Sequence, residues 1–260
     1  MTSRSPDAGA ARPVASAAGF GERLAEHVER RRSQIVLGLD PDPSRLWPDI
    51  AAERPARHDD ADPAQSAAWA VQSHCRSVLE AAAAECVAVK FQVACFERLG
   101  APGWTALATL VADAREHDLL VIADAKRGDI DVSATAYGQA FFAGLPTPFG
   151  AIRGLGADAL TVSPLLGRDS VAAFIAAARN VRGGVFVLVR TSNPGAAEVQ
   201  DQALAAGGSV SDGLAALVDA LGADGAGPAG ISDVGAVVGA TVPEHLARLR
   251  EAMPAAPLLL

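Results

Sequence analysis

Seven short apolar runs, spaced along the whole chain, constrain this sequence most. They are IVLGL (35–39), CVAVKF (86–91), LLVIAD (119–124), ALTVSP (159–164), VFVLVR (185–190), GAVVGAT (235–241) and LLL (258–260). Runs of this length, rich in β-branched and aliphatic residues, read as strands buried on both faces of a parallel sheet. Between them the apolar side chains recur every three or four residues, at 66–84, 104–117, 169–179, 211–222 and 243–252, with Pro243 placed as a first-turn proline. Strand and helix alternate throughout, the sequence form of an α/β fold with right-handed crossovers. A (β/α)8 TIM barrel and an open doubly wound sheet both satisfy that pattern. Residues 1–17 are small, polar and Pro/Ala-rich and read as a disordered N-terminal tail. Residues 18–260 read as one domain. Its long connections are 41–65 and 193–230, of the kind used as functional lids.

Composition narrows the function. The formal net charge is −8, and aromatic residues make up 5% of the chain. An acidic surface repels phosphate backbones and anionic membranes, and few rings are present for base stacking, so neither nucleic acid nor membrane is an expected partner. Cys75, Cys86 and Cys95 form no CxxC pair and no Cys/His cluster, which argues against disulfides and structural zinc. No apolar run is long enough to span a bilayer, and no secretory h-region opens the chain, so the expected location is cytoplasmic.

Polar residues gather where the proposed strands end: Asp40, Lys90, Asp124 with Lys126, Ser163, Arg190 to Ser192, and Thr241. In parallel α/β folds that edge is where ligands bind. No GxSxG, HExxH, Walker loop or post-strand GxGxxG competes with it. The five histidines fall in helical or loop stretches and read as surface residues. The densest group is VIADAKRGDIDVS (121–133). Alternation along an extended segment turns Asp124 and Lys126 the same way, and Asp129 lies one short turn further on, within reach of the lysine. A lysine between carboxylates is held as an ammonium, which suits a proton donor and not a Schiff-base nucleophile.

The run D-A-K-R-G-D-I at 124–130 resembles the D-x-K-x-x-D-I signature of the orotidine 5′-phosphate decarboxylase family. GLDPDP (38–43), VKFQVACFE (89–97), TVSPLLGRDS (161–170), RTSNPG (190–195) and VVGAT (237–241) agree in order and context, with the wording of the mycobacterial-type branch. The resemblance implies a (β/α)8 barrel, a homodimer with shared active sites, and conversion of orotidine 5′-phosphate to uridine 5′-phosphate without metal or organic cofactor. It implies that Asp124 sits by the departing carboxylate and that Lys126 protonates C6. Asp129, with Ile130, would come from the partner chain to help hold Lys126. Asp40 and Lys90 would bind ribose hydroxyls, Ser133 would stand where the family commonly has Thr, and Ser192 would contact the pyrimidine. Position 163 is Ser where this branch often has Asn. The family continues with a Pro-Gly-x-Gly-x-Gln-Gly loop and an eighth strand bearing a phosphate-binding Arg, neither of which lies in these 260 residues. The expectation is therefore a barrel lacking its eighth strand, with free edges on the first and seventh, and a 260-residue chain that is poorly stable and impaired. Two rivals share the signature: the Mg²⁺-dependent sugar-phosphate decarboxylases and synthases of the same superfamily, and a non-catalytic nucleotide-binding descendant.

Overall fold

All seven apolar runs become strands of one parallel sheet in the computed structural model, which describes residues 18–52 and 62–260. The strands are β1 (Val36–Leu39), β2 (Ala88–Gln92), β3 (Leu120–Arg127), β6 (Ala159–Val162), β7 (Gly184–Arg190), β8 (Val234–Val238) and β9 (Leu258–Leu259), and they lie side by side in that order. Between β3 and β6 a two-stranded antiparallel hairpin stands apart, β4 (Leu145–Thr147) with β5 (Gly150–Ile152). The expected helices form as α3 (Pro63–Ala82), α5 (Gly100–Glu116), α7 (Arg168–Arg179), α9 (Val210–Gly222) and α10 (Pro243–Ala252), with Pro243 in the first turn of α10. Four further helices lie outside the stretches named from periodicity: α1 (Phe20–Arg31), α2 (Pro48–Ala52), α4 (Val93–Glu97) and α6 (Asp131–Gly138). So does the short helix α8 (Ala196–Val199), which with an Ala203–Ser209 bridge gives structure to the start of the second long connection. The 1–17 tail and residues 53–61 of the first long connection lie outside the described residues.

Alternation along each strand separates two cores. Val89, Phe91, Val121, Ala123, Leu160, Val162, Val185 and Val187 face outward and pack beneath the helices with Leu79, Leu107, Leu110 and Phe174. Ala88, Leu120, Ile122, Ala159 and Phe186 face the concave side. That side is floored by α1, whose Phe20 meets Phe186 edge-on at 5.8 Å, with Leu24 and Val28 packed beside it. Burying a side chain such as Phe20 contributes on the order of 1.5–3 kcal/mol. The helix is also tied down by ion pairs from Arg23 to Asp158 (2.6 Å) and from Arg30 to Asp118 (2.5 Å). It approaches so closely that a Cβ at Gly21 would stand 2.1 Å from the Ile231 carbonyl oxygen. Gly21→Ala is therefore expected to cost about 1–3 kcal/mol through overpacking, at roughly 2–4 °C of Tm per kcal/mol for a chain of this size. Thermal unfolding followed by circular dichroism checks it.

Among the described residues β1 and β9 each pair with one neighbour only, β2 and β8, so the sheet curves without closing. Between these two edges lies an apolar cavity of about 540 Å³, lined by Val36, Ala88, Ile122, Phe186, Leu258 and Leu259 among others. The sheet is thus seven strands of a (β/α)8 arrangement with the seam between the first and the last left open.

Candidate active site

The concave face changes character along the strands. The lower row is apolar, as above. One step toward the C-terminal ends it becomes polar, because the parallel register sets Lys90 beside Ile122 and Gln92 beside Asp124. Asp124 is 6% exposed and sits at the centre of the polar row. Its Oδ2 accepts hydrogen bonds from Lys90 Nζ (2.9 Å) and Gln92 Nε2 (3.1 Å), and its Oδ1 accepts from Lys126 Nζ (2.6 Å) and Thr161 Oγ1 (2.9 Å). Burial alone pushes its carboxyl pKa upward, but the hydrogen bonds and charges of Lys126 and Lys90 together outweigh burial and hold it below the usual carboxylate value.

Asp124 and Lys126 do meet, though not through simple alternation. The pairing of β3 with β6 slips between Ala123, opposite Leu160, and Arg127, opposite Val162. Three residues, 124 to 126, therefore stand opposite Thr161 alone. Lys126 has φ +50°, a left-handed conformation that costs a lysine energy. The bulge turns the lysine back over the preceding carboxylate, with its side chain 43% exposed at the mouth of the concave face.

The other expected site residues stand around this centre without touching it. Asp129 does not reach Lys126 of its own chain. Its side chain accepts from the Ile130 amide (2.9 Å), and its carbonyl accepts from Ser170 Oγ (2.7 Å), which pins the turn away from the lysine. Ile130 and Ser133 are exposed on the same rim. Asp40 is exposed just past β1, and both it and Lys90 lie near enough to Cys95 to act on its thiol, whose pKa is raised mainly by burial. Ser192 is exposed after β7 and lies against β8, where a Cβ at Gly239 would come within 2.8 Å of the Ser192 Cα. Arg190, which also ends β7, is engaged by Asp201 at 2.8 Å and so anchors the following loop.

Gln92 and Thr161 were not among the expected site residues. Gln92 lies within the VKFQVACFE run, and its place two residues after Lys90 on one strand face was the available signal. Thr161 opens the TVSPLLGRDS run and is a polar residue inside an otherwise apolar strand, but only the β3–β6 pairing shows that it meets the carboxylate. Elsewhere, Cys75 is buried and its thiol is pushed up to about 12, first by burial and then by Cys95, so it is no nucleophile at neutral pH. Among the described residues no group of three or more His, Cys, Asp or Glu could hold a metal ion, and no helix is long and apolar enough to cross a membrane.

Residues 33–255 match the model of the family described as orotidine 5′-phosphate decarboxylase / HUMPS. The chain belongs to this family. It is 38% identical over 248 residues to the orotidine 5′-phosphate decarboxylase of Rhodopirellula baltica, covering 92% of this chain and 76% of that one. It is 39% identical over 244 residues to the enzyme of that name from Deinococcus radiodurans, covering 93% and 76%. Among solved structures, the OMP decarboxylase of Leishmania donovani superposes with a TM-score of 0.69 at 29% identity, over 92% of this chain and 78% of that one. The seven-strand sheet of this decarboxylase family member therefore follows the fold of its solved relatives.

Proposed function

We propose that this chain decarboxylates orotidine 5′-phosphate to uridine 5′-phosphate, the closing step of pyrimidine nucleotide synthesis, with Lys126 as the proton donor. The observation that carries the mechanism is the Lys126 ammonium lying 2.6 Å from a buried carboxylate at the mouth of the concave face. In the reaction the bond from C6 to the carboxylate carbon breaks, carbon dioxide departs, and the electron pair stays on C6. That carbon has no adjacent carbonyl to take the charge as an ordinary enolate. An ammonium fixed beforehand beside it stabilises the charge without reorganising, then passes a proton to C6 and is reprotonated from water. Asp124 keeps Lys126 in place and stands by the departing carboxylate. Lys90 uses one of its three protons on Asp124 and has others for a ribose hydroxyl, with Asp40 as a second ribose contact and Ser192 meeting the pyrimidine. The curated relatives named for this activity support the reading.

The rival reading is a sugar-phosphate enzyme of the same superfamily, which would need Mg²⁺ for an enediolate. Ile130 and the run Ser192-Asn193-Pro194-Gly195 favour the pyrimidine substrate. Excess EDTA is expected to leave the rate of orotidine 5′-phosphate consumption unchanged. No consumption of orotidine 5′-phosphate, with turnover of 3-keto-gulonate 6-phosphate that EDTA abolishes and Mg²⁺ restores, would favour the sugar-phosphate reading.

A homodimer with shared sites completes the proposal. Ile130 (48% exposed), Val132 (82%), Leu165 (84%) and Leu166 (50%) form an apolar rim around Asp129 on the neighbouring loops after β3 and β6. Those loops are joined by the Ser163 amide donating to the Arg127 carbonyl at 2.7 Å. Such a patch on a soluble domain is a place to bind protein. A second copy docked there in isologous fashion would bring its Asp129 to this Lys126. Mixing the inactive variants Lys126→Ala and Asp129→Ala in equal amounts, with subunit exchange, is then expected to restore about a quarter of wild-type activity. Half of the dimers would be mixed, each with one intact site. Recovery of none, with exchange demonstrated, would place Asp129 outside the partner's site.

A further inference from the structure

Lys126 and Asp124 are connected twice. The Lys126 ammonium donates directly to Asp124 Oδ1 at 2.6 Å. The Lys126 backbone amide donates to Thr161 Oγ1 at 2.9 Å, and the Thr161 hydroxyl donates in turn to the same Oδ1 at 2.9 Å. The ring closes through one residue of β6, and Thr161 is 0% exposed. A hydroxyl can accept and donate at once, which the ring requires. The ring also accounts for the bulge. With residues 124 to 126 opposite Thr161 alone, the Lys126 amide is bonded by the threonine hydroxyl where a regular ladder would supply a carbonyl. A lysine at φ +50° persists only where its surroundings hold it there.

We infer that Thr161 is a positioning residue for decarboxylation, fixing the strained backbone of Lys126 and the carboxylate that orients its ammonium through one hydroxyl. The inference rests on the proposed role of Lys126. Thr161 lies beneath the reacting groups, so its removal changes the geometry of proton delivery and leaves nucleotide binding to the rim residues.

The test compares Thr161→Val, Thr161→Ala and Thr161→Ser with the wild-type chain and with Lys126→Ala. Turnover is counted per uridine 5′-phosphate-binding site by calorimetry, so that misfolded molecules are not counted. Val and Ala are expected to lower kcat about tenfold to a hundredfold, with KM and uridine 5′-phosphate affinity within about twofold of wild type. Ser, which keeps the hydroxyl, is expected to recover most of the loss. A readout independent of turnover is reductive methylation of Lys126, followed by peptide mass spectrometry. It should speed up by about twofold to tenfold in Val and Ala, as for loss of one hydrogen bond, and not in Ser. Unchanged kcat and unchanged labelling in Val and Ala overturn the inference. So does a Ser variant as impaired as Val, or a loss of binding that parallels the loss of turnover. Should Val not fold, Ala is read by the same criteria. Full turnover in Lys126→Ala would defeat the underlying role of the lysine instead, whatever the threonine variants do.

Discussion

Replacing Lys126 by alanine is expected to lower turnover of orotidine 5′-phosphate by at least about a thousandfold, since it removes both the charge that stabilises the carbanion and the acid that quenches it. The fold should tolerate the change. Asp124 keeps Lys90 and Gln92 on one oxygen and Thr161 on the other, so no buried carboxylate is left without partners. Uridine 5′-phosphate, which carries no carboxylate at C6, should bind with little loss. Decarboxylation is followed by the fall in substrate absorbance and product binding by calorimetry. Equal losses of turnover and of product affinity would point to a binding protein and away from a proton donor.

Asp124→Asn is expected to be nearly as damaging, for a different reason. All four groups that surround the carboxylate donate: Lys90, Gln92, Lys126 and Thr161. An asparagine offers one accepting oxygen and one NH₂ group. Whichever way it is turned, the NH₂ faces two donors, either Lys90 with Gln92 or Lys126 with Thr161. The site must then rearrange, and turnover is expected to fall by at least about a hundredfold, with a stability loss of about 1–3 kcal/mol. Substrate binding should not weaken to match, because the variant also removes a negative charge from beside the substrate carboxylate. Steady-state kinetics and denaturant unfolding separate the effects, and a variant with wild-type kcat would remove Asp124 from the mechanism.

The charge of Asp124 also sets a pH dependence. Its pKa in the folded chain lies below the ordinary value because Lys126 and Lys90 outweigh the opposing effect of burial. A depressed carboxylate contributes stability that is fully present above the unfolded value, about 3.9. That stability is lost as pH falls through the lower folded value. Unfolding experiments on the wild-type chain should therefore show this contribution disappearing below about pH 4, and Asp124→Asn should lack it. Over neutral pH, Asp124 introduces no acid limb into the rate.

The seven strands were legible in the sequence because a strand covered on both faces must be apolar at nearly every position, and a run such as VFVLVR has few other uses. Helix α1 lies outside the helical stretches read from the sequence, although Phe20, Leu24 and Val28 recur every four residues amid charged ones, the pattern of an amphipathic helix. The hairpin at 145–152 was hidden because its exposed strands have no buried face to impose a pattern. At the site, motif and strand position brought Lys90, Asp124 and Lys126 together correctly, but the geometry assumed for the last two was wrong. Alternation along an extended strand would have placed them side by side; a bulge and a left-handed lysine do so instead.

The number and places of the strands, the strand ends that carry polar groups and the identity of the lysine were legible in amino-acid pattern and motif, because burial and alternation act locally along the chain. Tertiary structure alone decided that Thr161 closes a ring with Lys126 and Asp124 and that Asp129 turns away from the lysine of its own chain. Each of these depends on register between segments far apart in sequence, which no local pattern encodes.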